Sequence, residues 1–262
     1  MKNVVPKEKL YKLLAEIAEW YHGILRTTEG EPGRRYLAER GFPDDIVNAF
    51  KLGYSNDSSD AALRWGERHN YDRELLIAAG LAITKKDAGP GKGCYDRFRG
   101  CLMFPIWDEL GRVVGFSART LEKKPRGATY FNTPETVLFQ KGWLLYPLHL
   151  ARHAFKESGH ALVCEGHLDV IACHRAGLTC AVAPQGIAFT ENHAWLLKRF
   201  TESVVFVFDA DTACSQAAVR SVELALYTGL AARVVVLPRG ENPDSLFRHG
   251  GAPALIEAMS RS

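Results

Sequence analysis

Apolar residues recur along the first eighty positions at the spacing of amphipathic helices. Leu10, Leu13, Leu14, Ile17 and Ala18 fall on one helical face. Shorter stretches with the same period, around 31–40, 43–50, 58–69 and 72–80, are separated by glycine and proline, so residues 6–80 are predicted to be mostly helical. The texture then changes. CLMFPI (101–106) and RVVGFSA (112–118), joined by the turn-like DELG, predict a β-hairpin. From about residue 156 the apolar runs ALVC (161–164), CAVA (180–183), VVFVF (204–208) and RVVVL (233–237) alternate with helical stretches at 167–177, 191–200 and 213–229. Strands that are apolar on both faces and alternate with helices predict a parallel, doubly wound α/β sheet. The expected organisation is a mixed α+β segment with a helical N-terminus at 1–155, followed by the α/β domain at 156–262. DAGPGKG (87–93) and KKPRGA (123–128) read as loops.

Composition narrows the classes without choosing among them. The 262 residues are 47% hydrophobic and 24% charged, which excludes wholesale disorder and fibrous repeats. No apolar run approaches the roughly 18 residues of a membrane span. The amphipathic, charged N-terminal segment is unlike a secretory signal, so a cytoplasmic protein with no membrane partner is expected. Lys and Arg number 33 against 30 Asp and Glu, a net +3 that does not by itself indicate nucleic-acid binding. Six scattered cysteines without a C-x-x-C pair predict reduced core residues and no zinc.

The chemistry concentrates where the later strands end. ALVC runs into Glu165, and VVFVF runs into Asp209-Ala210-Asp211. Parallel strands deliver these carboxylates to one edge, the edge at which open α/β sheets bind ligands. Each like-charge pair there costs about 1 kcal/mol at ~4 Å in water and about 4 kcal/mol at the effective dielectric of a protein surface. A divalent cation that prefers oxygen ligands, magnesium or manganese, would relieve the repulsion. Acidic residues after strands also cap helices, a reading that suits Asp169 or Asp211 taken singly. Asp244, in the N-P-D that follows RVVVL, is open to either role.

A second cluster is basic. Arg97, Arg99, Arg119, Lys123, Lys124, Arg126 and Lys141 interleave with Tyr95, Phe98, Phe116, Tyr130 and Phe131. The mixture suits a surface that meets phosphates and stacks bases. It equally suits a solvated face above ordinary core aromatics.

The segments EGHLDVIACHRAG (165–177), APQGIAFT (183–190), FDADTACSQAA (208–218) and GENPDSLFRHGG (240–251) resemble the Toprim domain of bacterial DnaG-type DNA primases. YDRFRGCLMFPIWDELGRVVGFSARTL (95–121) and YFNTPETVLFQKGWLLYPL (130–148) are similar to that family's N-terminal polymerase subdomain, and residues 10–55 to the helices before it. The resemblance implies a Toprim-type parallel, doubly wound sheet preceded by a mixed α+β subdomain. It implies template-directed RNA primer synthesis on single-stranded DNA from nucleoside triphosphates, dependent on Mg2+ or Mn2+. By position, Glu165, Asp209 and Asp211 match its catalytic carboxylates. Those three with Asp169 and Asp244 match its metal site, and Arg97, Arg99, Arg119 and Lys141 its nucleotide- or template-binding cations. Four positions depart from the pattern. Thr129 stands where the family carries Lys, Asn242 replaces the first Asp of D-P-D, and Ala210 and Cys214 replace glycines. The family's zinc domain and helicase-interaction domain have no counterpart in the sequence. The chain is therefore expected to be a fragment or a minimal primase, with no zinc of its own. A separate zinc-binding module and a replicative helicase are its expected further partners. A Toprim metal-dependent nuclease and a non-catalytic nucleic-acid-binding relic are the competing functions.

Overall fold

In a computed structural model the chain is described over residues 5–85, 93–122, 128–210 and 215–260. The loop expectation at DAGPGKG lies outside these residues except for Gly93, and that at KKPRGA except for Ala128. The described residues form two compact units. One contains the chain up to Ile106 together with Arg112–Gln140, and the other Trp107–Gly111 together with the chain from Lys141 onward.

The first unit begins with helix α1 (Lys7–Ile24), whose stripe Leu10, Leu13, Leu14, Ile17, Ala18 and Tyr21 is buried. Helices α2 (Glu31–Glu39) and α3 (Asp44–Ala49) lead to strand β1 (Gly53–Ser55). Gly53 lets α1 lie directly on this strand, because a Cβ there would stand 2.7 Å from the carbonyl carbon of Tyr21. Helices α4 (Ala61–Arg68) and α5 (Arg73–Ala78) precede the short antiparallel pair β2 (Ala82–Thr84) and β3 (Cys94–Asp96). Asp96 accepts the amides of Ala62 and Leu63 at 2.6 and 3.1 Å, satisfying the first turn of α4. Its burial pushes the carboxyl up to about 6 against those bonds. The predicted hairpin is present as β4 (Cys101–Trp107) and β5 (Val113–Thr120), and β6 (Tyr130–Asn132) completes a sheet ordered β1-β4-β5-β6.

The second unit contains the predicted α/β layer. Strand β7 (Leu145–Tyr146) and the short helices α6 (Leu148–Ala151) and α7 (Ala154–Ser158) come first. Then β8 (Ala161–Val163), α8 (His167–Arg175), β9 (Ala181–Pro184), α9 (Glu191–Lys198), β10 (Ser203–Phe208), α10 (Gln216–Tyr227), β11 (Ala231–Val236) and α11 (Pro243–Met259) alternate strictly. The sheet order is β11-β10-β8-β9-β7, with β8 to β11 parallel and β7 antiparallel to β9. From β8 the chain moves outward to β9 and then returns across β8 to β10. With right-handed crossovers this reversal puts α8 on one face and α9 and α10 on the other. Helix α11 joins α8, against which it packs. Among the described residues no helix is long and apolar enough to cross a membrane.

Candidate active site

The reversal of strand order falls between β8 and β10, and it opens a crevice at their C-terminal ends. The parallel register pairs Ala161, Leu162 and Val163 with Val204, Val205 and Phe206. Glu165 therefore leaves β8 and Asp209 leaves β10 at neighbouring positions on one edge. Glu165 is exposed and Asp209 half-buried, while Asp211 lies outside the described residues.

Asp169 and Asp244 stand beside this edge, and their bonds define their places. Asp169 sits in the first turn of α8, where its Oδ2 accepts the amide of Gly166 at 3.1 Å. Its Oδ1 accepts the amide of Asp244 at 3.3 Å, across a sequence separation of 75 residues. One carboxylate thus receives unbonded amides from the starts of two helices, α8 and α11, where anions are favoured. Burial, aided by the charges of Asp244 and Asp209, pushes the Asp169 carboxyl up to about 7 despite these donors. Asp244 is buried and accepts Arg248 Nε at 3.1 Å. The cap of α11 is Asn242, whose Oδ1 accepts the amide of Ser245 at 2.8 Å, so Asp244 is not the capping residue.

Among the described residues no three His, Cys, Asp or Glu side chains already form a metal nest. The donors nonetheless fit a hard divalent cation. They are carboxylate oxygens delivered to one edge of the sheet, and the nearby charges of Asp244 and Asp209, which add to the burial that raises Asp169, are ones a cation would offset.

The basic residues fall into two kinds of surroundings. Arg97 is half-buried, its Nε has no acceptor among the described residues, and burial lowers its hold on the proton. Arg119 lies over the ring of Tyr36 at 4.4 Å and that of Tyr130 at 5.7 Å, and its Nε also lacks an acceptor. Buried guanidinium donors left open in this way suit an incoming anion such as a phosphate oxygen. Arg99 is exposed, lying 5.5 Å from the Tyr95 ring. Lys141 opens a single 3-10 turn in the second unit. Lys123, Lys124 and Arg126 lie outside the described residues. Of the interleaved aromatics, Phe98 and Phe116 are fully buried and pack on one another at 6.2 Å, so they belong to the core and cannot stack bases.

Residues 20–152 match the family profile for the DNA primase catalytic core, N-terminal domain, and residues 162–247 match a Toprim-like profile. The chain belongs to the DnaG-type primase family. It is 36% identical to the DNA primase of Staphylococcus epidermidis over 242 residues, covering 92% of this chain and 40% of that protein. It superposes on the RNA polymerase domain of Mycobacterium tuberculosis primase DnaG with a TM-score of 0.88 at 33% identity, covering 98% of this chain and 84% of the other. It also matches a DnaG primase catalytic domain bound to single-stranded DNA, with a TM-score of 0.86 at 35% identity, over 97% of this chain and 81% of that one. The chain spans about two fifths of the length of the curated primases it matches.

Two departures from the primase pattern acquire a structural setting. Asn242 performs a helix cap that Asp would also perform, so the exchange keeps the fold of α11 and removes a charge near Glu241. Thr129 is exposed, and its carbonyl accepts the amide of Thr120 at 3.0 Å, a bond indifferent to the side chain. Sequence reasoning missed Tyr36 beneath Arg119 and Arg248 beside Asp244. Arg248 carried a signal, since it lies one helical turn after Asp244 on the same face. Tyr36 carried none, because its partner arrives from a distant strand.

Proposed function

We propose that the chain is the RNA-polymerising core of a DNA primase, joining ribonucleotides on a single-stranded DNA template with Mg2+ or Mn2+. The observation that carries this reading is the presence, in one chain, of a primase-type N-terminal unit and a carboxylate-edged Toprim sheet. A nuclease needs only the second.

In the reaction a 3′-hydroxyl attacks the α-phosphate of a nucleoside triphosphate and pyrophosphate departs. Glu165, Asp209 and Asp211 would hold the cation, which lowers the pKa of the attacking hydroxyl and offsets charge on the leaving oxygens. Asp169 ties α8 to α11 and so fixes the outlet of β8 against the start of α11. Arg97 and Arg119 bring open guanidinium donors to phosphate oxygens, and Arg99 and Lys141 add point attraction. Template, nucleoside triphosphates, a separate zinc-binding module and a replicative helicase are the partners this role requires, in the cytoplasm.

The test is ribonucleotide incorporation on single-stranded DNA with either metal, with a zinc-binding primase module supplied in trans. Glu165→Gln and Asp209→Asn should each abolish incorporation and leave DNA affinity within about twofold, since neither touches the cationic contacts. Metal-dependent cleavage of DNA without nucleotide addition would favour the nuclease. Full activity in both variants would refute the site.

A further inference from the structure

Helix α9 begins with an unusual box. Its N-cap Thr190 accepts the amide of His193 on Oγ1 at 3.2 Å, and the amide of Thr190 in turn donates to His193 Nδ1 at 3.1 Å. The third helical position of such a box is ordinarily Glu or Gln, whose side chain reaches back to the cap amide. Imidazole does the same here and keeps a second nitrogen. Because Nδ1 accepts, the proton of the neutral ring sits on Nε2, which donates to the carbonyl of Lys141 at 2.9 Å. Thr190 Oγ1 spends its own hydrogen on the next carbonyl, that of Gly142, at 2.7 Å.

Two consecutive carbonyls of the turn that carries Lys141 are therefore held by one helix start. His193 is fully buried, and its burial lowers the ring to about 4, so it stays neutral with this tautomer fixed. A Glu at 193 would make the same cap but could not donate to Lys141. The histidine is the residue type that closes the box and grips the turn with one ring.

We propose that His193 and Thr190 are positioning residues for Lys141, setting the backbone from which its ammonium reaches phosphate. The proposal rests on the reading of Lys141 as a phosphate-holding residue. It assigns a function to the APQGIAFT-ENH segment that the acidic edge does not use.

The experiment measures binding of a fluorescent single-stranded oligo(dT) and of magnesium ATP to the whole chain at several salt concentrations. The variants are Lys141→Ala, His193→Leu, His193→Gln and the double Lys141→Ala/His193→Leu. Lys141→Ala should weaken at least one probe several-fold. His193→Leu should weaken the same probe, and in the Lys141→Ala background it should add nothing further. For the oligonucleotide it should also flatten the salt dependence by up to about 0.7 in slope, the contribution of one single-strand phosphate contact, although no charge has been removed. His193→Gln should restore binding, because its amide can accept with Oε1 and donate with Nε2. Equal losses from His193→Leu in both backgrounds would show a merely structural residue and overturn the proposal alone. A Lys141→Ala chain that binds both probes normally overturns the reading of Lys141 and the proposal with it. Should His193→Leu fail to fold by circular dichroism, Thr190→Val, which loses the bond to Gly142, is judged by the same outcomes.

Discussion

Arg119 meets two tyrosine rings, and this contact shows what a single side chain in the candidate site can be asked. Its guanidinium is held over Tyr36 and Tyr130 by the ring faces and donates from Nη1 to the carbonyl of Thr120 at 3.4 Å, while its Nε has no acceptor among the described residues. Arg119→Ala is expected to weaken oligo(dT) binding and flatten its salt slope by about 0.7. Arg119→Lys should recover only part of the loss, since a compact ammonium cannot fill the same planar space between rings. Anisotropy titrations at three salt concentrations decide it, and unchanged affinity in the alanine variant would remove Arg119 from the interface. At this scale the sequence showed the charged groups well and their partners poorly. Glu165 and Asp209 stood out because each follows an unbroken apolar run. The tie from Asp169 to the amide of Asp244 was hidden because it joins residues 75 apart.

Helix α1 and strand β1 illustrate the next scale, where the backbone itself is the contact. The helical stripe on α1 was plain from its period, but β1 is three residues long and carries no alternation to read. What makes it a strand is pairing with β4, in register Gly53 to Met103 and Ser55 to Cys101. Its glycine is what lets the helix settle. Gly53→Ala would drive a methyl to within 2.7 Å of the Tyr21 carbonyl carbon and 2.8 Å of its Cβ, and neither is the flexible end of a side chain. A loss of at least about 2 kcal/mol is expected, read as a lower urea midpoint with an unchanged slope. A variant as stable as the parent would mean that α1 can lift from the strand. The same dependence on partners hid β7, two residues long, which exists only as the antiparallel neighbour of β9. Strands β8, β9 and β10 needed no such help, since their apolar runs announced burial on both faces, whereas the equally apolar β11 is an edge strand that stays mostly exposed.

Across the whole molecule the buried titratable groups pull stability in opposite directions as the medium is acidified. His167 and His193 are both buried, and each is lowered by burial to about 4. An unfolded histidine titrates near 6.5, so between about pH 6.5 and 4 the unfolded chain binds more protons and the fold loses stability, by up to about 1.4 kcal/mol per pH unit for each ring. Burial lowers His149 to about 4 as well, adding in the same direction. Asp96 and Asp169 oppose them. Raised to about 6 and about 7, each takes up a proton in the fold before it does so unfolded, and gives back a similar amount as the pH falls towards 4. The three histidines outnumber the two carboxyls, so urea unfolding at pH 5 should show lower stability than at pH 7, with part of the deficit removed in His167→Gln. The tip of the β4–β5 hairpin adds one more consequence. Trp107 stacks on Tyr146 at 6.2 Å and lies tilted against His149 at 4.5 Å, and Glu109 receives Arg152 on its carbonyl and Arg199 on its carboxylate. A gene cut to begin at codon 141 would strip those five residues, Trp107–Gly111, from the half they complete. The truncated product should emerge from expression with an uncovered aromatic seam and partition into inclusion bodies, so the smallest soluble piece of this polypeptide that still carries the acidic rim has to begin upstream of the hairpin.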